Sequence, residues 1–486
     1  MIEQLTNYKH KIDFLLSDNM QLCQQAQTTV KQNRKAYKKC NECNKRRKPS
    51  AEDYQICRMC HKSKIIFKSS GNKAIDDFIK YTQINFVSEN GKMEFVAYDQ
   101  FKNIEFIAEG GFSKIYKATW VDGPIINWCN VIRDDANISR NNNYTVVLKK
   151  LHNSKNFTTK ELNEIYSDRK TYNSNISQYF GITQDPITKD IMIVMAYYNS
   201  GDLIRYISND FYNINWETKL FRLRNIIFGL ENIHNSDIIH RDLHSGNIFI
   251  GKNIYGNEST YVGDLGISKS ATESTDNNEN YGIIPYMAPE IFQGQKYTNA
   301  SDIYSFGMIM WEFMTGRRPF WDRNHDTELI IDIWDGLRPP IVTNAPEGYI
   351  ELMKECWHSD PEKRPTATDL FGKIQNMLRN KNPTEIIESL DIGSVTTNNP
   401  GAIYKSRPLS SMINSAMSLR SSRSLSINLG TGKRKIEDLV TDNNDGQCIK
   451  KEKLCENEIN EYLTNEIKFD INMNFNQSHK PHNKGK

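Results

Sequence analysis

Apolar residues are dense and regularly spaced only in the middle of this chain. From Phe101 to about Leu378 they recur between sharp turns, and on either side the sequence turns polar. Ile104 and Phe106, then Ile115 and Ala118, flank the pair Gly110–Gly111 and predict strand, turn and strand. YTVVLKKL (144–151) predicts a strand whose side chains alternate between faces, so Lys149 and Lys150 point opposite ways. IMIVMAYY (191–198) is the longest apolar run and predicts a buried strand leading into a loop and a helix. Within 216–240, Leu220, Leu223, Ile226, Ile227, Leu230 and Ile233 recur at steps of three and four and predict an amphipathic helix. The Trp120–Asn143 segment is too long for a tight connection and predicts an exposed insertion between two strands.

The flanks carry weaker patterns. Residues 1–39 are rich in Gln, Asn and Lys; the spacing of Ile12, Leu15, Leu16 and Leu22 fits a short helix or a solvated tail equally. In 70–100, Ile75, Phe78, Ile79 and Ile84 predict a linker helix docking on the next domain, with Ser69, Ser70 or Asn72 able to cap it. Residues 380–486 are Ser-, Asn- and Lys-rich, and the composition predicts disorder. KRKIED (433–438) and KKEK (450–453) fit either a nuclear-localisation patch or solvated lysines. No repeat of 20–50 residues is evident, which argues against a solenoid.

Composition narrows the class. The chain has 486 residues and 38% hydrophobic content, and its mean hydropathy is −0.64. These values fit one sizeable core with polar tails. A net charge of +3 is too small to argue for nucleic acid. The first residues lack the apolar core of a signal peptide, and no run approaches the ~18 apolar residues a membrane span needs. The expectation is a soluble protein, cytoplasmic or nuclear. Four of the nine cysteines form Cys40-x-x-Cys43 and Cys57-x-x-Cys60. In a reducing compartment such pairs read as a metal site. Residues 40–69 are therefore a candidate zinc module, although the gap between the pairs is shorter than the usual ribbon spacing. Four unconnected cysteines remain the alternative. The basic NKRRKPS between the pairs fits a solvated face better than a nucleic-acid contact.

The sharpest chemical signal is IIHRDLHSGNIFI (238–250), with Asp242 and Asn247 five apart between apolar runs. It stands between the Lys149 strand on one side and DLG (264–266) and APE (288–290) on the other. Together these resemble the catalytic loop, the strand lysine and the metal-binding motifs of eukaryotic protein kinases. MAPE and SDIYSFGMIMWEFMTGRRPF most resemble the tyrosine-kinase-like group. The resemblance covers 101–379. It implies an α+β, bilobal fold with a small β-rich lobe and a larger helical one.

It also implies an ATP-dependent transfer of the γ-phosphate to a protein hydroxyl, with the protein substrate unidentified. Asp242 would accept the hydroxyl proton, while Asn247 and Asp264 would bind Mg2+, a hard cation suited to oxygen ligands. Lys149 would hold the α and β phosphates and pair with Glu164, or with Glu161 one turn earlier. Ala108, Gly110, Gly111 and Ile115 would cover the nucleotide. Val147, Met195 and Phe249 would line the adenine pocket, and the backbone from Ala196 to Tyr198 would form the hinge. Asp202 falls where the family contacts ribose, though it equally suits a helix N-cap after Gly201. Glu290 and Arg364 would form a buried ion pair. Asp302 would cap its helix and steady the catalytic loop from behind.

Several positions depart from the pattern. Of the family's loop glycines only Gly110 is kept; Ala108 and Ser113 replace the others. Val147 stands where alanine is usual, and its extra methyls would cost about 1–3 kcal/mol against a rigid ring wall. These departures keep open a pseudokinase scaffold that binds ATP weakly or not at all; the complete polar set argues for catalysis. His244 and Ile283 occupy positions where serine/threonine kinases usually carry lysine and threonine, so serine/threonine specificity rests on the group resemblance. Arg241 implies control by an activation-loop anion, with acceptors between Ser268 and Thr275.

Overall fold

The computed structural model describes residues 37–85, 92–109, 113–126, 128, 138–157, 175–254, 256–264, 269–270, 280–380, 384–395 and 397–430. Six strands build the sheet of the small lobe. Their spatial order is Glu94–Phe95, Tyr179–Gln184, Ile191–Ala196, Tyr144–Leu151, Ser113–Trp120 and Phe101–Glu109. The first pair is parallel and the others are antiparallel. Strand alternation sorts the side chains as expected. Val146, Leu148, Ala118 and Val194 pack with Phe101 and Trp120 on one face. Val147, Ile193 and Met195 belong to the core on the other.

That second core is closed by the linker helix, Lys73–Asn85, which buries Ile75, Phe78 and Ile79 against the sheet. Its start is held by side chains, because its first N–H groups have no helical partner. Asn72 Oδ1 accepts from the Ala74 N–H at 2.9 Å, and Asp76 Oδ1 accepts from the Ser70 N–H at 2.7 Å. The cysteine module docks on the same helix. Ser63 Oγ, on helix Arg58–Ile66, donates to Gln83 Oε1 at 2.7 Å, and Ile84 packs against the cysteine cluster.

The Trp120–Asn143 insertion departs from expectation. Strands Ile125–Ile126 and Ser139–Arg140 pair, and Ile125 and Trp128 bury against Ile66 of the cysteine module. Arg140 grips Glu94 with two hydrogen bonds of 2.6 and 3.0 Å. The insertion is thus partly core, because its apolar residues meet a partner distant in sequence.

The large lobe is helical. Helix Trp216–His234 starts at Asn215, whose side chain accepts from the Thr218 N–H at 2.9 Å. Helix Asn299–Thr315 is buried from Ser301 to its end. It opens with a Thr298–Ser301 capping box and ends at Gly316, in the left-handed region at φ +74°. A Cβ on Gly316 would lie 2.7 Å from the Phe211 ring. Arg364 donates to both oxygens of Glu290 at 2.7 Å, and both side chains are buried, which is the expected ion pair. Among the described residues, no helix is long and apolar enough to cross a membrane.

The polar C-terminal region departs most from expectation. Residues beyond 384 run over the large lobe and bury Ile392, Leu409, Ile413 and Ala416 in its core. A two-residue strand, Arg407–Pro408, pairs with Tyr281–Gly282, and helix Ser410–Gly430 follows. The apolar residues at 409, 413 and 416 share one helical face. Serines dilute that stripe enough to read as disorder. Residues 431–486 lie outside the described residues.

Candidate active site

The small-lobe sheet sets one wall. Cross-strand pairs Ile115–Lys149 and Val147–Met195, with Ala108 opposite Ile115, put these five side chains on one face. Lys150 points the other way and pairs with Asp185 at 2.9 Å. Gly110, Gly111, Glu161 and Glu164 lie outside the described residues, so the expected Lys149–Glu164 pair does too. The described partner of Lys149 Nζ is Asp264 Oδ1. Burial pulls the Lys149 pKa down, but the charge and hydrogen bond of Asp264 together with Tyr179 and Asp242 outweigh it and hold the ammonium above its usual range.

The floor and hinge come from neighbouring turns. The Tyr198 ring is buried and stacks on Phe249 and Tyr261 at 5.7 and 4.6 Å. Only its backbone is therefore on offer to a ligand. Asp202 Oδ1 accepts from the Arg205 N–H at 2.8 Å, so it caps helix Leu203–Asp210. Gly263 is fixed by proximity, since a Cβ there would lie 2.6 Å from the Phe249 ring.

The catalytic-loop residues are locked from behind. Asp302 accepts from the backbone N–H groups of His240 and Arg241 at 2.8 and 2.9 Å and meets His234 Nε2 at 2.9 Å. It steadies the loop as expected. It does not cap its helix, a task taken by Thr298. Arg241 sits at φ +71°, and its guanidinium lies 5.4 Å from the Tyr297 ring centre. Asn247 Nδ2 donates to the Asp242 carbonyl at 2.9 Å, leaving its amide oxygen as the atom to offer a cation. The Gly263 N–H donates to the Asn247 carbonyl at 2.8 Å, which ties the loop to Asp264.

Asp242 Oδ2 accepts from Ser406 Oγ at 2.6 Å and lies 3.7 Å from His244 Nε2. His244 Nδ1 accepts from the Gly246 N–H at 3.1 Å, so Nε2 carries the proton facing Asp242. Burial raises the Asp242 pKa, but the His244 and Ser406 contacts outweigh it and keep the carboxyl below its ordinary range. Ser406 had no counterpart in the sequence reading. Of the expected activation-loop acceptors, Ser268 and 271–279 lie outside the described residues.

The arrangement gathers one ammonium, two carboxylates and one amide oxygen. A neutral oxygen beside a carboxylate is a donor set that suits Mg2+, and the ammonium suits a phosphate chain. The residues present therefore fit a magnesium nucleotide.

The cysteine module is a second candidate centre. The sulfurs of Cys40, Cys43, Cys57 and Cys60 all lie within 4.8 Å of one another. Cys40–Cys60 and Cys43–Cys57 are 3.7 and 3.8 Å apart. Four sulfurs about 2.3 Å from a tetrahedral zinc lie about 3.8 Å apart, so the cage fits that ion.

A family model described as protein tyrosine and serine/threonine kinase matches residues 101–374. The chain belongs to the protein kinase family. A putative serine/threonine-protein kinase/receptor of Acanthamoeba polyphaga mimivirus is 34% identical over 39% of this chain and 11% of its own length. The probable serine/threonine-protein kinase roco5 of Dictyostelium discoideum is 27% identical over 62% of this chain and 10% of its own. Ephrin type-A receptor 7 of Gallus gallus is 32% identical over 40% of this chain and 20% of its own. The kinase thus spans a small fraction of each of these relatives.

Proposed function

We propose that this chain is an ATP-dependent protein kinase of the tyrosine-kinase-like group that phosphorylates serine or threonine. One observation carries the reading: Lys149 pairs with Asp264, Asn247 donates to the Asp242 carbonyl, and the N–H of Gly263, the residue before Asp264, joins the two pairs by donating to the Asn247 carbonyl. Phosphoryl transfer needs an aligned hydroxyl, charge neutralisation and exclusion of water more than covalent help. Asp242 orients the acceptor hydroxyl and takes its proton. Lys149 holds the phosphate chain. Asn247 and Asp264 hold magnesium, which neutralises charge on the phosphate oxygens when bound. His244 supplies a donor beside Asp242 where lysine is usual. The names of the mimivirus and Dictyostelium relatives favour serine/threonine. Against the pseudokinase alternative, which rests on Ala108, Ser113 and Val147, the chain keeps Lys149, Asp242, Asn247 and Asp264, and the mimivirus and Dictyostelium relatives are named as kinases. We further infer that the four cysteines hold one structural zinc.

The test is phosphoamino-acid analysis of a basic protein substrate incubated with the full chain, labelled ATP and magnesium. Label on serine or threonine supports the proposal. Label confined to tyrosine overturns the specificity, and no label overturns the activity.

A further inference from the structure

We propose that Ser406 is an intramolecular phosphoacceptor, presented to Asp242 by the chain's own C-terminal segment. The proposal rests on the kinase reading above. Its basis is the 2.6 Å hydrogen bond from Ser406 Oγ to Asp242 Oδ2, an oxygen of the carboxylate to which the proposed function gives the acceptor hydroxyl's proton.

The contact is built on both sides of the serine. Downstream, Arg407 and Pro408 pair with Gly282 and Tyr281 as an antiparallel strand. The Leu409 N–H donates to the Asn280 carbonyl at 2.8 Å, and the Asn280 N–H donates to Ser410 Oγ at 2.8 Å. Leu409 itself is fully buried in the large-lobe core. Upstream, the Tyr404 hydroxyl donates to the Pro319 carbonyl at 2.9 Å, with Arg318 4.6 Å from its ring centre. The strand that receives the segment is itself beside the base, since a Cβ on Gly282 would lie 3.9 Å from Asp242 Oδ1. Extended backbone paired on an exposed strand, with one side chain anchored, is how sheet edges hold peptides. Residues 404–410 thus lie as a bound peptide lies, with a serine at the reacting position.

The step balances without a further reactant. Ser406 Oγ forms a bond to the γ-phosphorus of ATP. The bond from that phosphorus to the β–γ bridging oxygen breaks, and its electron pair leaves on ADP. The hydroxyl proton passes to Asp242 Oδ2. Once Asp242 releases that proton to solvent, the phosphate's charge of about −1.5 to −2 stands against the restored carboxylate, and that repulsion drives the segment off the site.

The experiment uses the phosphatase-treated full chain with labelled ATP and magnesium, site mapping by mass spectrometry and a 100-fold dilution series. A basic protein substrate is assayed in parallel. The expected result is phosphate on Ser406, formed at a first-order rate that dilution leaves unchanged, and absent in Ser406→Ala. Leu409→Asp, which unseats the anchor, should slow Ser406 labelling at least tenfold while the parallel substrate is labelled at least as fast as by wild type. A labelled parallel substrate with no phosphate on Ser406 overturns this proposal alone. A Ser406 rate that falls in proportion to dilution overturns the intramolecular step. No label on either overturns the kinase reading and this proposal with it.

Discussion

Replacing Arg364 by alanine isolates the energetics of the large lobe. Arg364 makes two 2.7 Å hydrogen bonds to Glu290 and donates to the carbonyls of His358 and Ala300 at 2.8 and 2.9 Å. The exposed fractions of the two side chains are 0% and 4%, so no solvent takes over when the guanidinium is removed. The variant leaves a buried carboxylate without its counter-charge and two carbonyls without a donor. Breaking a buried pair from one side costs about 3–5 kcal/mol. At about 2–4 °C per kcal/mol for a unit of this size, the thermal midpoint should fall on the order of 10 °C. Urea and thermal unfolding of the full chain, followed by circular dichroism, would measure it. A second variant separates charge burial from packing. Glu290→Leu combined with Arg364→Leu removes both charges and should recover part of the loss, because no lone ion remains. A shift of less than about 1 kcal/mol in Arg364→Ala would refute the reasoning. A double variant worse than the sum of its single variants would refute it as well.

Three other outcomes follow from the same structure. Val147→Ala, on the cleft face opposite Met195, should tighten nucleotide binding about tenfold if the extra methyls cost ~1.4 kcal/mol; an unchanged Kd in nucleotide titration removes the crowding argument. Metal analysis should find one zinc per chain, and chelation or Cys57→Ser should expose residues 40–66 to protease; equal protease resistance with and without chelator contradicts a zinc-held module. Glu312 is buried, and although Ser245 and Tyr286 donate to it, burial pushes its pKa up from 4.5 to about 7. Between those values the folded state binds the extra proton, so stability falls as pH rises, by on the order of 3 kcal/mol. Glu312→Gln should remove that decline in urea titrations from pH 5 to pH 8, and an identical slope in both proteins rules it out.

Local chemistry was legible where it depends on short spacing. Strand alternation placed Lys149 on the cleft face and Lys150 on the other. The two C-x-x-C turns indicated a four-sulfur cage. The spacing of Asp242 and Asn247 indicated one loop that holds both, and the Asn247 amide does donate to the Asp242 carbonyl. What escaped the sequence depends on contacts between distant segments. Asp202 suited two roles, and only the contact with the Arg205 N–H showed that it caps a helix. Trp128 and Ile125 looked like parts of an exposed insertion because their partner, Ile66, precedes them by some sixty residues. Ser406 stands in a serine-rich tail and gains meaning only from a hydrogen bond to a residue 164 positions earlier. The stripe of Leu409, Ile413 and Ala416 was the one available clue to that docking.

The account stands on Asp242 as the proton acceptor of a working phosphoryl-transfer site. Its most direct test compares initial rates of labelled phosphate transfer to a basic protein substrate by the full chain and by Asp242→Asn, with folding of both checked by thermal midpoint. The account predicts transfer by the wild type and a loss of at least a hundredfold in the variant, in line with the roughly 10²–10⁴-fold contribution of a positioned base. Equal rates, or no transfer by either folded protein, would contradict it.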